Sequence, residues 1–220
     1  ELTETIRSLG LEGKAAAQVG CNNARELLSL ASLNILPSAG IDQSGAFLEQ
    51  GRLLAKAAGL EPRLIEADIY DLPSDLGTFD LVLITIGVLN WMPDLDGFFR
   101  AVSKLLGPGG HLVIYETHPV MEMFEPDSDT PHEPVTSYFR KEPIKEDGLI
   151  SYDGVDHGSG ETGYWFIHTL GRIVTSCAAA GLAITSLKEF GYSIREPEYD
   201  IYEGREAQIP MSYLLQARKT

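Results

Sequence analysis

The chain is short of positive charge, of cysteine and of long apolar runs, and each shortage removes a class of function. Seventeen Lys and Arg stand against 32 Asp and Glu, giving a net charge of −15 and an isoelectric point near 4.6. A nucleic-acid binder needs a basic footprint to displace counterions from phosphates. Docking on an anionic membrane surface needs one as well. Neither partner suits this composition. Two cysteines, Cys21 and Cys177, are too few for a disulfide scaffold and fit a reducing, cytoplasmic setting. No apolar run approaches the roughly 20 residues that span a bilayer, and no cationic start followed by an apolar core marks a secretory signal. The chain begins at Glu1 rather than Met, as expected of a sequence trimmed upstream.

What remains is ordinary for a globular protein: 220 residues, 44% hydrophobic and 22% charged. That length predicts one domain, residues 1–220, with room for an insertion. The acidity is uneven. Residues 1–116 carry −7, residues 117–163 carry −8 and residues 189–206 carry −4, while 164–188 and 207–220 are each +2.

Residues 1–116 alternate between strand and helix patterns. Strands are expected at Lys14–Gly20, Ser38–Asp42, Arg63–Ala67 and Phe79–Thr85, and at His111–Tyr115 after a Gly107–Gly110 turn. The run Phe79–Thr85 (FDLVLIT) is apolar enough to be buried on both faces. Helices are expected at Asn23–Leu33, from a Ser44 cap to Ala58 with a stop at Gly59, and at Leu95–Leu106. Alternating strands and crossover helices predict an α/β, Rossmann-like, doubly wound sheet covered on both faces. Ligands of such sheets bind at the carboxyl ends of the strands. Residues 117–167, with five prolines from Pro119 to Pro143 and a Gly-rich stretch after them, break the pattern and predict a cap over those strand ends. The pattern resumes with a helix at Gly171–Ala180 and strands at Ile184–Phe190 and Met211–Ala217.

Three strand ends carry groups suited to an adenosine. Gly20-Cys21-Asn22 is a small-residue turn leading into a helix, where a ligand can approach the backbone. Asp42, followed by Gln43, ends the second strand 22 residues beyond Gly20, and a carboxylate there accepts from both hydroxyls of a ribose. Asp68 and Ile69 follow the third strand, an acceptor for an exocyclic amine beside an apolar surface for a flat ring. Each has a plainer reading as well: a tight turn, a helix cap, a turn acid.

The order of these elements resembles the class I S-adenosylmethionine-dependent methyltransferases. The likeness covers about residues 14–116 and 168–220, and is strongest in the run from Phe79 to Ile114 with its Pro-Gly-Gly turn. The resemblance implies a mostly parallel seven-stranded sheet with an antiparallel last strand, and S-adenosylmethionine as cofactor. It places Gly20 under the methionine moiety, Asp42 on the ribose, Asp68 facing the adenine, and Thr85-Ile86 near the methionine amine. The sequence departs from the family pattern at Gln18, where an acid is usual, and at Asn22 and Ala24, which replace glycines.

Methyl transfer is an in-line displacement that depends on positioning and exclusion of water. A base assists a hydroxyl or ammonium nucleophile. His118, just beyond the fifth strand, and His168, opening the last helix, are the candidate bases, against a structural role for either. Asn90 and Trp91 follow the fourth strand and are the candidate substrate contacts. Tyr138, Tyr152, Tyr164 and Trp165 line an acceptor pocket or form the cap's own core. Asp153, Asp156 and His157 match no standard calcium or zinc spacing, so no metal is expected. The expected activity is methylation of a small molecule, at oxygen or nitrogen rather than carbon, with a neutral or cationic acceptor entering beneath the acidic cap. The alternatives are a non-catalytic cofactor-binding module of the same fold and a nicotinamide-dependent oxidoreductase.

Overall fold

A computed structural model of the chain describes residues 1–147, 162–194 and 197–220. A short helix α1 (Leu2–Ser8) precedes β1 (Ala15–Val19), α2 (Arg25–Ser29), β2 (Leu36–Asp42), α3 (Gly45–Ala58), β3 (Arg63–Glu66), β4 (Phe79–Thr85), α4 (Leu95–Leu105) and β5 (Leu106–Thr117). A hairpin follows, β6 (Ile144–Asp147) with β7 (Thr162–Trp165), then α5 (Leu170–Ala179), β8 (Leu182–Phe190) and β9 (Ser212–Lys219). Seven strands form one sheet in the order β3-β2-β1-β4-β5-β9-β8. β9 runs antiparallel to both its neighbours, and the remaining strands are parallel to one another.

Burial explains the centre of the sheet. Leu81, Val82, Leu83 and Ile84 of β4 are at most 1% exposed, so both faces of that strand are covered. Alternate residues feed two cores. Val82 and Ile84 pack with Phe98, Phe99 and Val102 of α4, and Leu81 and Leu83 pack with Leu27 and Leu48 on the other face. Each such side chain contributes about 1.5–3 kcal/mol through removal from water. The ends of α3 follow from its own residues: Ser44 accepts from the Phe47 N–H (3.3 Å), and Gly59 closes the helix at φ 68°.

Several boundaries differ from the sequence-based expectation by a residue or two, β2 and β9 among them, and the following differences bear on the fold. The helix expected over Asn23–Leu33 is a short α2 continued by a 3-10 turn at Leu30–Leu33, closed by Asn34 at φ 59°. The Gly107–Gly110 turn lies inside β5: Leu106 pairs with Phe79, and the register shifts before Leu81 meets His111, so the glycines absorb a bulge. β8 begins at Leu182, two residues early. β5 runs to Thr117, so the expected insertion starts later than residue 117.

The described part of the insertion meets the carboxyl edge of the sheet. Trp165 of β7 stacks edge-on against Trp91 with ring centroids 5.1 Å apart. The Phe166 N–H donates to the Asn90 carbonyl (2.7 Å). A separate small core joins Met121 and Phe124 to Tyr199, Tyr202, Ile209 and Met211, and the Tyr202 hydroxyl donates to the Pro131 carbonyl (2.7 Å). Tyr152, Asp153, Asp156 and His157 lie outside the described residues.

Candidate active site

The turn after β1 passes through three left-handed residues, Gly20 (φ 62°), Asn22 (φ 50°) and Ala24 (φ 58°). Asn tolerates that region, whereas Ala in it carries strain. Gly20 is further constrained by a neighbour: a Cβ there would lie 2.6 Å from Cγ2 of Val88. The two strand ends, β1 and β4, are thereby in van der Waals contact. Cys21 contributes no side chain to this edge. Its thiol is buried, packs toward Gly40, and is pushed well above its ordinary pKa by burial and then by Asp42.

Asp42 ends β2, half-buried. One carboxylate oxygen accepts from the Asn22 N–H (2.7 Å) and the other from the Ser44 N–H (2.9 Å). Two backbone donors therefore fix the carboxylate plane, and each oxygen keeps a lone pair for a further donor. Gln43 beside it is exposed. Asp68 is exposed at the end of β3 and accepts from the Tyr70 N–H (2.9 Å), while Ile69 is buried in the main core. Thus Gly20, Asn22, Asp42 and Asp68 share one sheet edge, with Ile69 beneath it.

Gln18, where the resemblance expects an acid, is 1% exposed and engaged at both ends of its amide. Its Nε2 donates to the Thr85 hydroxyl (2.9 Å), and its Oε1 accepts from the Leu27 N–H (2.9 Å). Thr85 is buried and committed to that bond. The amide, donating to Thr85 and accepting from Leu27, therefore braces β1 against β4 and α2.

Ile86 holds a positive φ of 24°, costly for a β-branched residue. The turn is secured from below by Glu116, which is 2% exposed at the end of β5. One of its oxygens accepts from the Gly87 N–H and the other from the Val88 N–H (2.9 Å). Glu116 therefore shapes the segment that presses Val88 onto Gly20. The sequence held a signal for it, an acid closing an otherwise apolar buried strand.

The substrate-side residues are tied together. Asn90 Nδ2 donates to the Phe166 carbonyl (3.0 Å) and to Glu122 (3.3 Å), and Trp165 Nε1 donates to the other Glu122 oxygen (2.8 Å). Asn90, Trp91, Glu122 and Trp165 thus latch β7 to the turn after β4. Tyr138 is half-buried, and its hydroxyl accepts from the Leu170 N–H (2.9 Å) at the start of α5. Tyr164 is exposed.

The two histidines differ. His118 is buried, with Nδ1 accepting from the Val120 N–H (3.1 Å) and Nε2 standing 3.0 Å from a Glu189 oxygen. Burial lowers its pKa, opposed by Glu189. Nε2 thus faces Glu189 of β8, while Nδ1 is held by the turn after β5. His168 donates Nε2–H to the Met92 carbonyl (2.8 Å) and stacks on Phe166 at 11°. With that tautomer the lone pair resides on Nδ1. Burial lowers the His168 pKa as well, opposed by the hydrogen bond to Met92 and reinforced by Arg172, so the net shift favours the neutral ring. His168 also lines a small cavity with Asn90 and Glu116. No three His, Cys, Asp or Glu side chains gather as a metal site among the described residues.

Comparisons with known proteins agree with this architecture. The family described as "Methyltransferase domain" matches residues 17–114. The demethylmenaquinone methyltransferase of Thermus thermophilus is 39% identical over 80 residues, 36% of this chain and 36% of its own length. That of Mycolicibacterium gilvum is 31% identical over 127 residues, 53% of this chain and 54% of its own. The chain thus spans about a third to a half of the length of the curated relatives it matches. Among solved structures, a putative S-adenosylmethionine-dependent methyltransferase from Listeria monocytogenes superposes with TM-score 0.69 at 19% identity over all of both chains. The [4+2]-cyclase SpnF superposes with TM-score 0.62 at 19% identity over 99% of this chain and 79% of its own, so the fold by itself does not decide the reaction. Residues 17–114 match the methyltransferase-domain family, and the whole chain shares the seven-stranded fold of solved S-adenosylmethionine-dependent methyltransferases.

Proposed function

We propose that the protein binds S-adenosylmethionine along the β1–β3 edge and transfers its methyl group to a small molecule. The observation that carries this reading is Asp42, a carboxylate oriented by two backbone N–H groups beside the left-handed turn at Gly20 and Asn22. That donor and acceptor set fits the cofactor. Asp42 accepts from the ribose hydroxyls, Asp68 from the exocyclic amine, and Ile69 floors the ring. The backbone around Ile86, shaped by Glu116, takes the methionine end in place of an acid at position 18. The cofactor supplies an electrophilic methyl on a sulfonium. The chain's own part is to orient the acceptor, exclude water and remove a proton. His168 is the base of this reading, because its Nε2–H is already given to Met92 and its Nδ1 stays unprotonated at neutral pH. His118, hydrogen-bonded at Nδ1 and with Nε2 3.0 Å from Glu189, holds the end of β5 near β8.

The insertion acts as a cap, with the latch of Asn90, Glu122 and Trp165 holding it over the acceptor end. The −8 charge of residues 117–163 favours a neutral or cationic acceptor, methylated at oxygen or nitrogen, and the overall −15 disfavours nucleic acid. A second reading, transfer to a ring carbon, draws on the names of the matched relatives, demethylmenaquinone methyltransferases and a ubiquinone/menaquinone C-methyltransferase. Incubation with methyl-labelled cofactor and a pool of cell metabolites tests the proposal. Label recovered in a small molecule is expected, and the bonded atom separates the two readings. Cofactor binding without transfer to any acceptor would leave a binding module instead.

A further inference from the structure

Tyr213 of β9 is 1% exposed, and its hydroxyl meets no hydrogen-bond partner among the described residues. Burial, followed by the charge of Glu116, raises its pKa well above the ordinary phenol value, so it keeps its proton. The ring borders a small, partly open cavity whose lining includes Leu89, Asn90, Glu116, Thr117 and His168. That space leaves about 10 Å³ for the centre of a water molecule, enough for one. Empty cavities in proteins are lined by apolar groups, whereas polar ones hold ordered water. Here Asn90, Glu116, Thr117 and His168 line the wall beside Tyr213, with Leu89, Pro119 and Ile173 as its apolar part, and the lining surface is more polar than apolar. A buried O–H donor without an acceptor is costly, and nothing else among the described residues meets it.

We propose that this cavity is a one-water site, in which Tyr213 donates to the water and the water in turn contacts His168. Tyr213 is then a positioning residue for His168, acting through the water. The inference rests on the reading of His168 as the proton acceptor only for its catalytic meaning; the hydration itself stands on the cavity and the unpartnered hydroxyl. The arrangement explains why a tyrosine stands second in β9, buried just before Leu214 and Leu215, where phenylalanine would pack as well.

Three readouts test it. A crystal structure of the full chain should show one water within hydrogen-bond distance of Tyr213 Oη and of at least one His168 ring nitrogen. Tyr213→Phe should lower the thermal midpoint by a few degrees, because a water-bonded hydroxyl contributes to stability while an unmet one does not. In ¹⁵N-histidine-labelled protein the resonance of the unprotonated His168 nitrogen should shift on Tyr213→Phe. A dry cavity, an unchanged or raised midpoint, or an unmoved His168 resonance would each overturn the proposal. The wild-type structure decides hydration even if the variant does not fold. Calorimetry with S-adenosylmethionine keeps the two claims separate: absent cofactor binding defeats the functional reading and leaves the water site standing.

Discussion

Gly20→Ala isolates the contact that joins the ends of β1 and β4. Two costs are expected. The first is conformational, since φ is 62° at Gly20, and a Cβ in that region costs about 1–2 kcal/mol. The second is steric, since the new Cβ would lie 2.6 Å from Val88 Cγ2 and 3.0 Å from Cγ1, and overpacking of this kind costs about 1–3 kcal/mol. Together they amount to about 2–5 kcal/mol, or roughly 4–20 °C in thermal midpoint for a chain of this size. Gly13→Ala is the control. It has φ 73° with nothing among the described residues within 4 Å of its Cβ position, so it carries the conformational cost alone. Urea unfolding followed by circular dichroism gives both values on one scale. Gly20→Ala should exceed Gly13→Ala by at least about 1 kcal/mol, and Val88→Ala in the Gly20→Ala background should recover most of that excess. Equal costs at the two glycines would refute the packing of Val88 on Gly20.

Asp42→Ala should weaken S-adenosylmethionine binding more than tenfold, about 1.4 kcal/mol, in an isothermal titration; an unchanged affinity removes Asp42 from the site. Glu116→Gln leaves an amide hydrogen facing the Gly87 or Val88 N–H, and should cost about 1–3 kcal/mol in urea unfolding; a neutral result means that the turn holds itself. Burial lowers the folded-state pKa values of His111, His118 and His168. The unfolded chain therefore binds more protons, and stability present above the unfolded histidine value near 6.5 should fall as pH drops through and below it; urea midpoints that stay level between pH 7 and 5 would contradict this. An absorbance titration with NADH should show no binding, whereas saturable binding would favour the oxidoreductase alternative.

Legibility from sequence followed how local the cause was. α3 was readable because its cap at Ser44, its stop at Gly59 and its periodic face lie within 16 residues. β4 was readable because burial on both faces leaves a continuous apolar run. The start of β5 was not, because glycines that spell a turn in sequence instead form a bulge against Phe79, a partner more than 25 residues away. α1 has too short an apolar pattern to stand out, although Ile6 and Leu11 join a core. The same holds at the candidate site. Asp42 and Gly20 announce themselves by position at strand ends. The service of Gln18 to Thr85 and Leu27, of Glu116 to Gly87 and Val88, and of Glu122 to Asn90 and Trp165 depends on side chains meeting across the fold. Nothing in the sequence near Tyr213 marks its unpartnered hydroxyl.

The charge pattern acquires a location from the fold. Acidic residues 197–203 belong to the segment that packs on Met121 and Phe124, so the late acidic stretch and the start of the insertion share one small core. High salt should then weaken a cationic acceptor more than a neutral one, measured as KM at low and high ionic strength; equal KM changes would reduce the acidity to a solvated surface.

Isothermal titration of the purified chain with S-adenosylmethionine and with its demethylated product tests the central claim most directly. Saturable one-to-one binding at micromolar concentrations, weakened more than tenfold by Asp42→Ala, is the predicted result. Absence of binding below millimolar concentrations for both ligands would contradict it.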